Sequence, residues 1–319
     1  MKKETLIEKV SFITNPDSSK EMQMYGFKKG DNTPYKINVD TSLREGIISV
    51  ISYGIKTLLI DNEKEYEIVD YSTADERKNR YYEYDLPDIP DNLKSMSDVI
   101  GDAHCDNYDF SHDGFGKLDH FIIVFSDGNG HPFSVYKSLS TIEKLTKSKK
   151  SILGIMGKDF LEGFEGQLLR IGPSFQVVFA SGKYILLDDK FAETTFGLLK
   201  ILKNQATKNM NNLKSKDLVY DYKKLEKYMD NIAFSRKLVK VLSKSKIINE
   251  SVSKVDILNF ISNDDKLKEI LKTKERSGDK YIEITNKTNA QAFLDLLNDE
   301  FVFSQLTKQK YQAIDKEER

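Results

Sequence analysis

The chain of 319 residues has no tryptophan, one cysteine, four histidines and six prolines. A lone Cys105 excludes an intramolecular disulfide, and with it the disulfide-stapled scaffolds of small secreted domains; a reducing cytoplasm is the expected location. No apolar run approaches the roughly 18 residues that a bilayer-crossing helix needs. The longest greasy stretch, Gly46 to Ile60, is broken by Ser49, Ser52, Tyr53, Gly54 and Lys56. Met1-Lys2-Lys3-Glu4 leads into a mixed polar segment without the apolar block of a secretory signal. Also missing are a Gly-x-Ser-x-Gly elbow, a phosphate-binding P-loop and a Gly-x-Gly-x-x-Gly fingerprint, so no nucleotide cofactor is expected.

What is present is charge, unevenly spread. The formal net charge of −1 conceals three regimes. Residues 1–136 carry 15 Lys+Arg against 25 Asp+Glu, residues 137–254 carry 23 against 12, and residues 255–319 carry 11 against 13. A split of this size points to a polyanionic or acidic partner, or else to two solvated halves of opposite sign folded on one another.

Periodicity predicts an α+β fold, with a β-rich N-terminal half containing an antiparallel meander, followed by a mainly helical basic region. Met22–Phe27 alternates like a strand. Asp40 offers an N-cap for a helix through Ile47, Val50, Ile51, Ile55 and Leu58. Glu65–Tyr71 and Tyr81–Leu86 are short strand-like runs, and Asp91–Ile100 suits a short helix. The clearest hairpin joins His120–Ser126 to Phe133–Tyr136 through Asp127-Gly128-Asn129-Gly130. Further strands are expected at Ser151–Met156, Gln167–Ile171, Phe175–Ala180 and Lys183–Leu187. Beyond Asp189 the pattern is helical, which divides the chain into a mixed α/β domain over 1–188 and a Lys-rich helical domain with short C-terminal strands over 189–319. Phe191, Phe196, Leu198, Leu199 and Leu202 suit one helix. Leu218, Tyr222, Leu225, Met229 and Ile232 recur at spacings of 4, 3, 4 and 3, which predicts another. Phe234, Leu238, Val241 and Leu242 continue that pattern after a bend. Val255–Ile261 and Ala290–Leu297 are read as shorter helices, with β segments near Tyr281–Ile284, Phe301–Phe303 and Tyr311–Ile314.

Between Lys200 and Lys246 there are 13 Lys+Arg against 4 Asp+Glu. On a helical wheel Lys216, Lys223 and Lys227 fall together, opposite the stripe at Leu218 to Ile232, and Lys237, Lys240 and Lys244 form a second row. With Lys208, Lys214, Lys224 and Arg236 these residues make the candidate DNA-binding surface. Ammonium groups repeated at helical spacing suit phosphate backbones, whose condensed counterions are released on binding. Lysine outnumbers arginine, which favours backbone contact over base readout. A merely solvated Lys-rich helix, an acidic protein partner and an anionic membrane surface are the competing readings.

Two catalytic or metal readings were weighed. His104, Cys105, His112, His120 and His131 lie among Asp102, Asp106, Asp109, Asp113 and Asp119, the residue types that ligate zinc or iron. Their spacing matches no familiar site, and a turn-rich surface loop is the better explanation, so no metal is expected. Asp188-Asp189-Lys190 after a strand resembles the acidic-x-Lys element of restriction-type nucleases, with Asp159 or Glu165 as the upstream carboxylate. Asp159, Asp188 and Lys190 would carry that alternative, a divalent-metal-dependent nuclease; helix capping by Asp188 is the plainer explanation. Binding, rather than catalysis, is the leading expectation.

Leu168–Gly172, Phe175–Ala180, Lys183–Leu187 and Phe191–Phe196, followed by a long helical region containing Phe234-Ser235-Arg236-Lys237-Leu238, resemble the KwaB family of the Kiwa anti-phage defence system. The resemblance spans roughly residues 120–250 and agrees in overall length. It implies a cytoplasmic protein that binds double-stranded DNA without sequence specificity and blocks phage replication and transcription without cleaving DNA. It further implies self-association as a homodimer or higher oligomer, and recruitment to the inner face of the membrane by a small membrane protein, KwaA.

Overall fold

A computed structural model describes residues 1–61, 65–73, 79–101, 104–128, 130–140, 144–145, 153–156, 161–164, 168–249, 252–303 and 310–312. The chain divides into two compact units: Met1–Asp70 with Arg77–Gly197, and Tyr71–Glu76 with Leu198–Arg319.

The first unit is built on β1 (Glu21–Lys28), β2 (Tyr35–Lys36), β3 (Glu67–Asp70), β4 (Arg80–Glu83), β5 (Leu118–Ser126), β6 (Phe133–Ser138), β7 (Lys144–Leu145), β8 (Leu153–Met156), β9 (Leu161–Phe164), β10 (Leu168–Leu169), β11 (Val177–Ala180) and β12 (Lys183–Leu186). Eight of these form one sheet in the order β2-β1-β5-β6-β11-β12-β4-β3. Every neighbour pair in it is antiparallel except β3 with β4, which run parallel. β7 pairs with β10, and β8 with β9, as separate two-stranded ladders.

The central strand β5 is buried along nearly its whole length, because the sheet carries helices on both faces. Its residues Phe121, Ile123 and Phe125 join Leu6 and Val10 of α1 (Lys3–Val10) and Ile47, Ile51 and Ile55 of α2 (Thr41–Ile55) in one core. The alternate residues point the other way. There Ser134 donates to the Met96 carbonyl, 3.1 Å, and the Tyr184 hydroxyl to Ser97, 3.0 Å, on α3 (Asp91–Asp98). Tyr136 meets Phe191 of α5 (Asp189–Thr195) and Phe196 at ring separations of 5.9 and 5.1 Å. A short helix, α4 (Phe110–Asp113), precedes β5.

Local chemistry fixes the element ends. Asp40 accepts from the Leu43 N–H at 2.8 Å and starts α2 as expected. Gly54 of α2 is a close approach: a Cβ there would collide with the Pro173 carbonyl oxygen and stand 3.0 Å from the Phe175 ring. The hairpin between β11 and β12 turns on Ser181 and Gly182, both left-handed (φ 50° and 76°).

The second unit contains α6 (Leu198–Lys214), α7 (Tyr222–Glu226), α8 (Ile232–Lys244), α9 (Lys246–Asn249), α10 (Lys254–Ser262), α11 (Asp265–Ile270) and α12 (Lys287–Leu297). It also holds the hairpins β13 (Thr273–Arg276) with β14 (Asp279–Ile282) and β15 (Phe301–Phe303) with β16 (Lys310–Gln312). The fold is therefore α+β, with a large antiparallel sheet in the N-terminal half and helices later. One boundary differs from expectation. Phe191 to Leu202 is not one helix, because Gly197 (φ 65°) ends the first and α6 begins after it.

His120, expected to open a strand and also grouped with the loop histidines as a metal candidate, is a core residue of β5, stacked between Phe27 at 4.6 Å and Tyr136 at 4.4 Å. Burial holds its imidazole below the ordinary histidine value, against the opposing pull of Asp119. Its neutral form is the one that fits the fold. Stability from this group is therefore complete near neutrality and falls as pH drops below about 6.5, where the unfolded chain takes up the proton first. Replacing His120 by Phe should shrink the drop in melting temperature between pH 7.5 and pH 5; an equal drop in both proteins would contradict this. Gly54→Ala should lower unfolding free energy by about 1–3 kcal/mol, since carbonyl backbone must move to admit the methyl; an unchanged denaturation midpoint would show that α2 shifts freely.

Candidate nucleic-acid interface

α6 buries Leu198, Leu202, Ala206, Asn209, Met210 and Leu213 along one face. That face packs on α8, where the Asn209 amide reaches the Val239 carbonyl at 3.5 Å. At about 100° per residue, the opposite face carries Lys200, Lys203, Lys208 and Lys214, all exposed. α6 contains no acidic residue. Lys200 and Lys203 were not among the sequence candidates. A signal for them was available: five lysines and no acid lie between Glu193 and Asp217.

Lys216, Lys223 and Lys227 do not share a helix, which corrects the expectation of one continuous stripe from Leu218 to Ile232. α6 stops at Lys214, Asp217 is left-handed (φ 48°), and α7 spans only Tyr222–Glu226. The break is chemically specified. The Tyr222 hydroxyl accepts from the Leu218 N–H (3.0 Å) and donates to the Leu213 carbonyl (3.0 Å), closing the end of α6. Asp221 then caps α7 through the Lys223 N–H at 3.0 Å, and Asn231 caps α8 through the Phe234 N–H at 3.0 Å. Between the helices, Leu218–Tyr220 lies extended beside β14: the Ile282 N–H donates to Leu218 and the Tyr220 N–H to Ile282, each at 2.9 Å.

Lys216 is exposed, its ammonium 3.3 Å from the Ile248 carbonyl. Lys214 pairs with Glu226 at 2.5 Å. Lys223, Lys224 and Lys227 are exposed on and after α7, and their ammonium groups make no ion pair with any described residue.

The cations of α8 behave differently. Arg236 donates to the Tyr71 carbonyl at 2.6 Å and lies over that tyrosine's ring, 4.6 Å from its centroid. Lys237 pairs with Asp295 and, at 2.9 Å, with Glu300; both carboxylates are buried. Burial pushes the Asp295 carboxyl up, an effect that Lys237 opposes. Lys240 is partly buried, and the Lys244 side chain lies outside the described residues. Of the second lysine row, Lys237 is thus tied into the unit's own packing.

The other candidates separate. Asp188 accepts from the Phe191 N–H at 2.9 Å and caps α5, Lys190 is exposed, and Asp159 and Glu165 lie outside the described residues. Asp102 does too. Asp113 is engaged by Lys117 at 2.7 Å and Lys28 at 2.6 Å, whose ammonium groups hold its carboxyl well below the usual carboxylate range. His131 pairs loosely with Asp127 at 3.7 Å. Among the described residues no three His, Cys, Asp or Glu converge as metal ligands.

A family model described as Kiwa protein KwaB-like matches residues 116–307. The chain belongs to the KwaB-like family. It is also 27% identical over 282 residues to the Kiwa protein KwaB of Escherichia coli O55:H7 (strain RM12579 / EPEC), covering 86% of this chain and 85% of that protein. No solved structure matches. Membership of the KwaB-like family supports a role in Kiwa anti-phage defence, in a system with further components. Among the described residues no helix is long and apolar enough to cross a membrane.

The Lys237 cluster has a stability consequence. Lys237→Ala removes a cation shared by two buried carboxylates, Asp295 and Glu300, and should cost about 3 kcal/mol of unfolding free energy in denaturant titration. A loss below about 1 kcal/mol would rank the cluster with ordinary surface pairs.

Proposed function

We propose that this KwaB-like protein binds double-stranded DNA without sequence specificity through the exposed lysines of α6 and α7, and interferes with phage DNA as part of Kiwa defence. One observation carries the reading: Lys200, Lys203, Lys208, Lys214, Lys216, Lys223, Lys224 and Lys227 are all exposed along a stretch in which α6 has no acid. Such a surface exchanges its counterions for phosphates and gains affinity without reading bases. The family resemblance extends the proposal to self-association and to docking on a membrane protein resembling KwaA, which would bring the protein to the inner face of the membrane.

Duplex binding by the full-length protein, followed by fluorescence anisotropy at several salt concentrations, tests this. Affinity should fall steeply with salt. Lys223→Glu, Lys224→Glu and Lys227→Glu together should weaken binding and flatten the log–log salt dependence by about 0.9 for each lysine that sits on a phosphate. The melting temperature should hold, since these side chains make no described ion pair. Unchanged binding by the folded triple variant would remove α7 from the interface.

A further inference from the structure

Beside the α6–α7 break lies a second cationic locus that the helical lysines do not explain. Asp217 projects from the left-handed turn after α6, and three donors from elsewhere in the unit converge on its carboxylate. The Tyr281 hydroxyl of β14 reaches Oδ2 at 3.2 Å, Lys254 of α10 reaches the same oxygen at 3.7 Å, and Arg276 of β13 reaches Oδ1 at 3.5 Å. The two cations are held in place independently of Asp217. The Lys254 ammonium lies 3.4 Å from the centroid of the Tyr281 ring, the Arg276 guanidinium 4.3 Å from it, and Arg276 also donates to the Tyr220 carbonyl at 3.4 Å.

All three polar contacts to Asp217 are long for charge-assisted bonds, which settle near ~2.7–2.9 Å. The Asp217 side chain is 57% exposed, so water and solutes reach the carboxylate. Two cations and a hydroxyl thus surround one weakly held, solvent-facing anion. A phosphodiester has the same single charge and, like a carboxylate, presents two anionic oxygens that a guanidinium can engage together. The position is also apt, because Leu218–Tyr220 ties this turn to β14 between exposed Lys216 and Lys223.

We infer that Arg276, Lys254 and the Tyr281 hydroxyl form a phosphodiester-binding site that Asp217 occupies in the free protein and that a DNA phosphate takes over on binding. The inference rests on the DNA-binding reading above and adds to it an internal competitor. Asp217 lowers affinity for any single phosphate while offsetting one of the two positive charges when no DNA is present.

The decisive variant is Asp217→Asn, in the full-length protein against a DNA duplex. Removing the competitor should tighten binding about two- to fivefold at fixed salt, the range expected for one exposed ion pair. A gain of affinity cannot come from misfolding. In an Arg276→Gln, Lys254→Gln background the gain should vanish, and that double variant alone should flatten the salt dependence by about 0.9 per cation. Equal or weaker binding by folded Asp217→Asn overturns the inference. So does a gain that persists in the Gln background, since it would then reflect overall charge. If the wild-type protein binds no DNA, the underlying reading falls as well. If Lys223, Lys224 and Lys227 matter but Asp217 does not, only the competitor falls.

Discussion

One phenol hydroxyl governs how the second unit presents its charge. By accepting from the Leu218 N–H and donating to the Leu213 carbonyl, which also takes the Lys216 N–H at 3.1 Å, Tyr222 ties the chain leaving α6 back to the last turn of that helix. The chain can then leave the helix through a left-handed Asp217, run extended beside β14 and restart at Asp221. Had the helix continued, Lys216, Lys223 and Lys227 would stand in one straight row. Instead cations occupy a helix face, a turn and a second short helix, and the turn is joined by hydrogen bonds to the β13–β14 hairpin.

The sheet was legible because its signals are local. β5 and β6 announce themselves by an apolar run, a Gly-rich turn and a returning run, and Asp40 by its position ahead of an apolar helix period. The stripe from Leu218 to Ile232 misled for a definable reason. Leu218 and Leu225 are indeed buried, but one is placed by an extended segment and the other by a five-residue helix. Burial spacing alone cannot separate these; the caps Asp221 and Asn231 inside the stripe could have. His120 was equally opaque, since a histidine in a strand reads as a ligand until its stacked neighbours Phe27 and Tyr136 are known.

The split among the cations was invisible for a different reason. Charge counts weigh Lys237 and Lys223 alike, yet Lys237 meets Asp295 and Glu300, the first of them 58 positions away in the chain and the second farther still. Desolvating a carboxylate demands a partner, so two buried acids on and after α12 fix where one lysine of α8 must go. Lys223, Lys224 and Lys227, exposed on and after α7, make no ion pair with any described residue. They keep their hydration and their mobile counterions, which is the state from which ion exchange with a polyanion gains entropy.

Arginine and lysine are divided along the same line. The described arginines of this unit, Arg236 and Arg276, both lie over tyrosine rings and both donate to backbone carbonyls. A planar guanidinium suits stacking and directed bonding, whereas an ammonium is a compact, rotatable charge. Base-edge recognition in the major groove leans on arginine forks free to reach guanine. Here Arg236 is committed to Tyr71, and the exposed cations of α6 and α7 are all lysines. A surface so composed presents rotatable point charges and no planar fork, which is the chemistry of backbone contact and not of base readout.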